Sequence, residues 1–335
     1  MRGGVEQLRR WGLLDRVAAV TPAIGRTVFE FGLEPVVVDA ADDVSRGPLF
    51  APRRTVLDPI LVDAARAAGA DFRFDTRVVD LVRDSDGRVS GIVFEPPDGS
   101  LASVAAGLVI GADGLRSFVA RQVDAPVSKR GQHSLASIFA YVQGADLPQH
   151  DYRFAYHQGA IGGSIPTTDG LHCVFVSLAP LAFRTHAQLD VTSALERTLE
   201  QVSPTIAEGA RTGNLISPIR SFPGHHGQFR APYGPGWALV GDAGYFKDPA
   251  AAHGLTDAFR DAELLADAVI ADDLDGYERL RDRLSMPLFE HIEELAALDW
   301  DAARAGEILC NFGSAMAAEM TALEQHRGAA HGLVG

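Results

Sequence analysis

Two segments of this 335-residue chain share one design, and together they narrow the possible folds more than any other feature. Leu108-Val-Ile-Gly-Ala-Asp113-Gly114 and Trp237-Ala-Leu-Val-Gly-Asp242-Ala243 each run a short apolar stretch into small residues and then an aspartate. Such stretches suit strands buried on both faces of a parallel sheet. In open α/β sheets, ligands collect beyond the carboxyl ends of the strands. Small residues there let the backbone approach a flat or phosphorylated ligand, and a carboxylate can accept hydrogen bonds from sugar or ribityl hydroxyls. Taken singly, a strand ending in Gly-Asp reads equally well as a helix cap.

The surrounding chain is that of a folded, water-facing protein. It is 47% hydrophobic and 22% charged, which is ordinary globular composition. A net charge of −14 argues against nucleic acid or an anionic membrane as partner. Cys173 and Cys310 are the only cysteines, so no disulfide framework or CxxC metal pair is expected. His225-His226 lacks further ligands at metal-site spacing. No apolar run suits a signal peptide or a membrane span, and a cytoplasmic setting is expected.

Periodicity places an amphipathic helix over 5–20, short strands over 27–31 and 35–39, and a helix from Val56 to Ala64. The stretches 72–83 and 87–95 alternate around Asp84-Ser-Asp-Gly87, a hairpin signal. Residues 125–235 read mainly as strands, at 137–142, 153–157 and 172–178, with one helix over 191–202. Leu255, Ala258, Phe259, Ala262, Leu265, Ala266 and Val269 mark one face of a long helix, and 276–327 reads as helical throughout.

Context makes the paired segments specific. The first continues as Gly114-Leu-Arg-Ser117-Phe-Val-Ala-Arg121; the second as Gly244-Tyr-Phe-Lys-Asp-Pro249-Ala-Ala-Ala-His-Gly254, then Asp257-Ala and Asp261-Ala-Glu-Leu-Leu-Ala. These resemble the GADGxxSxVR and GDAxxxxxPxxxxG…DAxxLA motifs of the para-hydroxybenzoate hydroxylase family of flavoprotein monooxygenases. Their order matches, with the aspartates 129 residues apart and a β-rich insert between. Arg53-Arg54-Thr-Val-Leu57-Asp-Pro-Ile-Leu61 is similar to the family's RxxLxxxL segment.

The resemblance implies an α/β fold: a Rossmann-like, glutathione-reductase-like FAD-binding domain with an inserted, mainly antiparallel β-sheet substrate domain and a helical carboxy-terminal tail. Segments 1–124 and 236–275 would form the discontinuous FAD-binding domain, 125–235 the substrate domain, and 276–335 the tail. Arg54, Asp113, Gly114, Gly241, Asp242, Ala243, Pro249 and Gly254 are the implied FAD contacts, with Asp242 on the ribityl chain. A helix entering near Gly254 would present backbone N–H groups to the flavin's pyrimidine edge, where charge builds on reduction. Asp113 is open between a cofactor contact and a helix cap, and Arg54 between a nucleotide contact and a solvated helix start. Arg121 falls one residue from the motif's usual position. His253 is the one candidate catalytic residue, able to hydrogen-bond flavin or a substrate oxygen; Lys247 and Tyr245 share its loop.

The resemblance further implies NAD(P)H as reductant, dioxygen as co-substrate, and a small aromatic or polyketide-like substrate. The glycine-rich GxGxxG turn that cradles the FAD pyrophosphate is not found, so the match begins roughly 45 to 60 residues into the family pattern. The incomplete FAD-binding domain would then lack its first βαβ unit and bind FAD weakly. Alternatives to an oxygenase are an FAD-dependent dehydrogenase, reductase or halogenase, or a truncated, non-catalytic homologue.

Overall fold

The computed structural model describes residues 1–32, 34–39, 47–187 and 190–332. The first amphipathic stretch forms two helices, α1 (Arg2–Arg10) and α2 (Leu14–Ala18), where periodicity indicates one. Gly12 takes a left-handed conformation (φ 69°), and Leu13 N–H donates back to Leu8 O at 2.8 Å. That glycine-capped helix end turns the chain so that Leu8 and Val17 are both buried.

Strands β1 (Arg26–Glu30) and β2 (Val36–Asp39) precede α3 (Arg54–Ala67). The Asp84–Gly87 turn closes a hairpin of β3 (Arg77–Arg83) and β4 (Val89–Glu95), to which β5 (Ala102–Ala105) adds. The alternation at Phe72 and Phe74 lies outside this sheet: the two rings stack 5.7 Å apart with the Arg66 guanidinium over both. Next come β6 (Val109–Gly111), α4 (Phe118–Gln122) and β7 (Val127–Arg130).

A large sheet is built from β8 (Ala136–Gln143), β9 (Asp151–His157), β10 (Ala160–Pro166) and β11 (Leu171–Leu178). Helices α5 (Pro180–Ala187), α6 (Val191–Val202) and α7 (Pro204–Arg211) follow, then short strands β12 (Asn214–Leu215) and β13 (Arg220–Phe222). The chain continues through β14 (Gln228–Arg230), β15 (Tyr233–Gly234), β16 (Trp237–Leu239) and β17 (Tyr245–Phe246). Helices α8 (Gly254–Ala271), α9 (Leu274–Ala296) and α10 (Ala302–Gly332) complete it. Leu298 (φ 58°) and the buried Trp300, whose indole N–H donates to Leu295 O, break the tail between α9 and α10.

The large sheet runs β12-β8-β11-β10-β9-β1-β2, with β13 also on β8. It is not confined to residues 125–235, because β1 and β2 continue it from the segment assigned above to the FAD-binding domain. The β1–β9 pairing is parallel, fixed by a two-pronged Arg26–Asp151 contact and by Phe29 stacked on Phe154. Glycines hide β10 from sequence reading, yet they are needed: a Cβ on Gly163 would lie 2.4 Å from Arg153 O and 2.7 Å from the Phe175 ring. One sheet face packs Ile138, Val174 and Val176 against Leu195, Leu199 and Ile206 of α6 and α7. The other carries Tyr152, Phe154 and Tyr156 toward Leu288, Ile292, Ile308 and Phe312 of α9 and α10. Among the described residues, no helix is long and apolar enough to cross a membrane.

Candidate functional site

The two look-alike segments become neighbours. β6 and β16 pair in parallel, Gly111 opposite Leu239, and Val240 N–H donates to Gly111 O at 3.0 Å. Both aspartates therefore leave the same end of one small sheet. Its core is Leu81, Val109, Val119, Trp237 and Leu239, which explains the apolar runs.

Beyond β16 the chain makes a single tight turn at Gly241–Ala243. Gly241 sits at φ 55°, and a Cβ on it would stand 3.2 Å from the Ala258 methyl, so only glycine lets α8 come this close. Its N–H donates to Asp261 Oδ2 at 3.2 Å. Asp242 is half-buried, and its carboxylate has no hydrogen-bond partner among the described residues. Burial, reinforced by Asp257 and Asp261, pushes its pKa from 3.8 up to about 6 against the pull of Lys247 and Arg54. Gly254 opens the 18-residue α8, and His253 before it supplies no side-chain cap. The first N–H groups of that helix thus lie open beside Asp242, and Gly254 and Leu255 are exposed.

Pro249 begins a one-turn helix whose geometry Asp248 sets. The Asp248 carboxylate accepts from Ala250 N–H at 3.0 Å and from Leu135 N–H at 2.7 Å, tying this loop to the start of β8. Burial raises the Asp248 pKa to about 6 although both N–H groups oppose the rise.

Behind the loop lies a buried ionic network of Lys247, His253, Asp257, Arg260, Asp261 and Glu319, none more than 6% exposed. Arg260 bridges Asp257, Asp261 and Glu319, and Lys247 pairs with Asp257. Burial alone would raise the Asp257 pKa, but Lys247, His253 and Arg260 together hold it well below the usual carboxylate range. His253 Nδ1 lies 3.1 Å from Asp257 and its Nε2 3.5 Å from Glu319; burial lowers its pKa.

The remaining candidates divide. Arg54 starts α3, pairs with Asp58 at 2.5 Å, and adds positive potential at Asp242. Its neighbour Arg53 instead lies over the Tyr141 ring at 4.6 Å. The N-cap of α4 is Ser117, which accepts from Ala120 N–H at 2.9 Å, and Asp113 supplements it by accepting from Phe118 N–H at 2.6 Å and Val119 N–H at 3.2 Å, with Gly114 (φ 74°) in the turn between. Arg121 donates to Arg116 O. Sequence reasoning missed Asp248, Arg260 and Glu319. Arg260 lies among apolar positions on α8 and could have been noticed; Glu319, 59 residues further on, carries no local signal.

A cavity of about 560 Å³ opens beside Ala250–His253. The sheet contributes Phe29, Tyr152, Phe154 and Tyr156 to its wall, and α10 contributes Phe312 and Met316.

A family model described as FAD binding domain matches residues 2–279. Tetracenomycin B2 monooxygenase-dioxygenase of Streptomyces olivaceus is 29% identical over 232 residues, 63% of this chain and 38% of that protein. Digeranylgeranylglycerophospholipid reductase of Methanothrix thermoacetophila is 29% identical over 259 residues, 73% of this chain and 63% of that protein. The chain thus spans less than two thirds of the length of these curated relatives. Among solved structures, P. aeruginosa PqsL in complex with 2-aminobenzoylacetate is similar in fold, with a TM-score of 0.75 at 21% identity over 92% of this chain and 87% of that one.

Proposed function

The chain belongs to the FAD-binding-domain family whose model its residues 2–279 match, and on that premise we propose that it is an FAD-dependent oxidoreductase that oxygenates an apolar aromatic substrate. NAD(P)H is the proposed reductant and dioxygen the co-substrate. One observation carries the reading: the unpartnered, half-buried Asp242 carboxylate, at the end of a parallel strand pair, beside the uncapped start of α8 and the mouth of an apolar cavity.

These residues fit FAD. Asp242 would accept from the ribityl hydroxyls, which would supply the donors that the protein itself does not. Gly241, Ala243 and Gly254 leave room for close approach, and Arg54 offsets phosphate charge. The open N–H groups of α8 would hold the pyrimidine edge, and Pro249 would shape the loop beside the ring. Asp113 and Gly114 set the turn at the neighbouring strand end. Bound FAD supplies the hydride acceptor and the centre where dioxygen is activated. The aromatic wall of the cavity holds the substrate against the loop and excludes water, and His253, braced by Asp257 and Glu319, presents a fixed imidazole at the same wall.

A second reading, FAD-dependent reduction of an apolar substrate, draws on the 29% identity to the Methanothrix reductase. Oxygen uptake coupled to NAD(P)H oxidation separates the two. The primary test is colour: protein purified with FAD should be yellow and release FAD on denaturation. A colourless protein that added FAD cannot turn yellow refutes both readings and favours a non-catalytic homologue.

A further inference from the structure

The cavity wall on the sheet side holds an unexplained pair of polar groups. Tyr152 and Tyr156 both line the cavity, and they are only 6% and 5% exposed. They lie on the same face of β9 with Phe154 between them, since side chains alternate along a strand. Neither hydroxyl has a hydrogen-bond partner among the described residues. Burial pushes both well above the usual phenol range, so both are neutral donors. Their rings are held in place: Tyr156 stacks on Phe31 at 5.4 Å and meets Trp300 edge-on at 6.2 Å, while Tyr152 meets Phe154 edge-on at 6.4 Å.

Buried hydroxyls are costly when unpaired, and one that lines a cavity is satisfied by whatever occupies it. Four residues of strand place the two anchors about 13 Å apart along β9. The charged groups on the wall, Arg2, His253 and Glu319, come from α1, the start of α8 and α10 and not from β9.

We infer that this cavity selects an elongated, neutral, multi-ring aromatic ligand with an oxygen function, ketone or phenol, near each end, and that Tyr152 and Tyr156 are its specificity-determining hydrogen-bond partners. The inference rests on the cavity being the substrate site proposed above. A volume of about 560 Å³ suits such a ligand, whereas a single benzoate ring would fill a small part of it and leave one hydroxyl unpaired.

The test is a calorimetric titration of the full chain, with FAD added, against 2,6-dihydroxyanthraquinone, 4-hydroxybenzoate and anthracene-type rings without ring oxygens, made soluble by a remote polyether. The dihydroxyanthraquinone should bind tightest. Tyr152→Phe and Tyr156→Phe should each weaken it roughly three- to ten-fold and leave the probe without ring oxygens unchanged. Because each variant deletes an unpaired hydroxyl, the ligand-free Tm should hold or rise; a merely structural hydroxyl would lower it. Equal binding of the dihydroxyanthraquinone by wild type and both variants overturns the inference, as does tighter binding of 4-hydroxybenzoate. Yellow protein that binds none of the probes sinks the inference but not the flavin reading. Colourless protein that still binds the anthraquinone through both tyrosines does the reverse.

Discussion

At the end of β6 the Asp113 carboxylate accepts two backbone N–H groups of α4; at the end of β16, one strand over, the Asp242 carboxylate accepts none. Both follow an apolar strand and a small residue, and both stand at the same edge of the sheet. Their surroundings make the difference. Asp113 spends its lone pairs on the first N–H groups of α4, alongside the Ser117 N-cap. Asp242 is desolvated and faces two further carboxylates, so ionising it is unfavourable, on the order of 3 kcal/mol for the rise from 3.8 to about 6. A fold that tolerates such a cost at one strand end, and avoids it at the next, marks the first as the place where a ligand supplies the missing donors.

The largest effect should come from removing what supports the Asp242 end. Gly241 N–H rests on Asp261, and Asp261 on Arg260, which also neutralises Asp257 and Glu319. Arg260→Met leaves buried carboxylates uncompensated and should cost roughly 3–5 kcal/mol in urea unfolding. Unchanged stability would mean that the network does not hold this turn, and the contrast between the two ends would need another cause.

Asp242→Asn should act in the opposite direction on the free protein. The folded state raises the Asp242 pKa, so its contribution to stability is present below 3.8 and is lost as the pH climbs to about 6. Asparagine removes that loss. The variant should match wild type near pH 3.5 and exceed it by up to about 3 kcal/mol above pH 7, while binding FAD on the order of ten-fold more weakly. Greater stability with undiminished FAD affinity would separate the desolvated carboxylate from the cofactor. Asp113→Ala should show the mirror image: about 1 kcal/mol lost at neutral pH, and FAD affinity changed by less than about two-fold. A large loss of FAD there would make the two ends alike after all.

Much of this contrast was within reach of sequence reasoning, because the physics that shapes β6, β16 and α8 is local. Apolar runs ending in Gly-Ala-Asp and Gly-Asp-Ala form buried strands with tight exits, and the spacing from Leu255 to Val269 marks a helix; its buried face differs, however, since Leu255, Ala262, Ala266 and Val269 are exposed while Asp257, Arg260, Asp261 and Leu264 turn inward. What was hidden depends on distant partners. β1 and β2 join the large sheet through Asp151 and Phe154, far along the chain, and nothing near residue 27 encodes that. β10 carries Gly162 and Gly163 within it, and the need for Gly163 shows only once the Phe175 ring is in place. The choice between cap and ligand at Asp113 turned on where α4 begins, and Glu319 meets Arg260 only once α10 has folded back.

Arg54 supplies the smallest and finest discrimination, because it lies between the two explanations for a basic residue at a helix start. Its pair with Asp58 is exposed and spans one helical turn, and such pairs contribute only about 0.3–0.5 kcal/mol. Arg54→Gln should therefore leave unfolding within about 0.5 kcal/mol of wild type. Its potential does reach Asp242, however, so if it also faces a flavin phosphate the variant should bind FAD roughly three-fold more weakly at low salt, with the deficit shrinking as salt screens the charge. Arg53→Gln is the matched control: that guanidinium sits over Tyr141, on the sheet side, and its loss should not change the salt dependence of FAD binding. If the two variants behave identically, Arg54 is a solvated helix-start residue, and Asp242 alone distinguishes the β16 end from the β6 end.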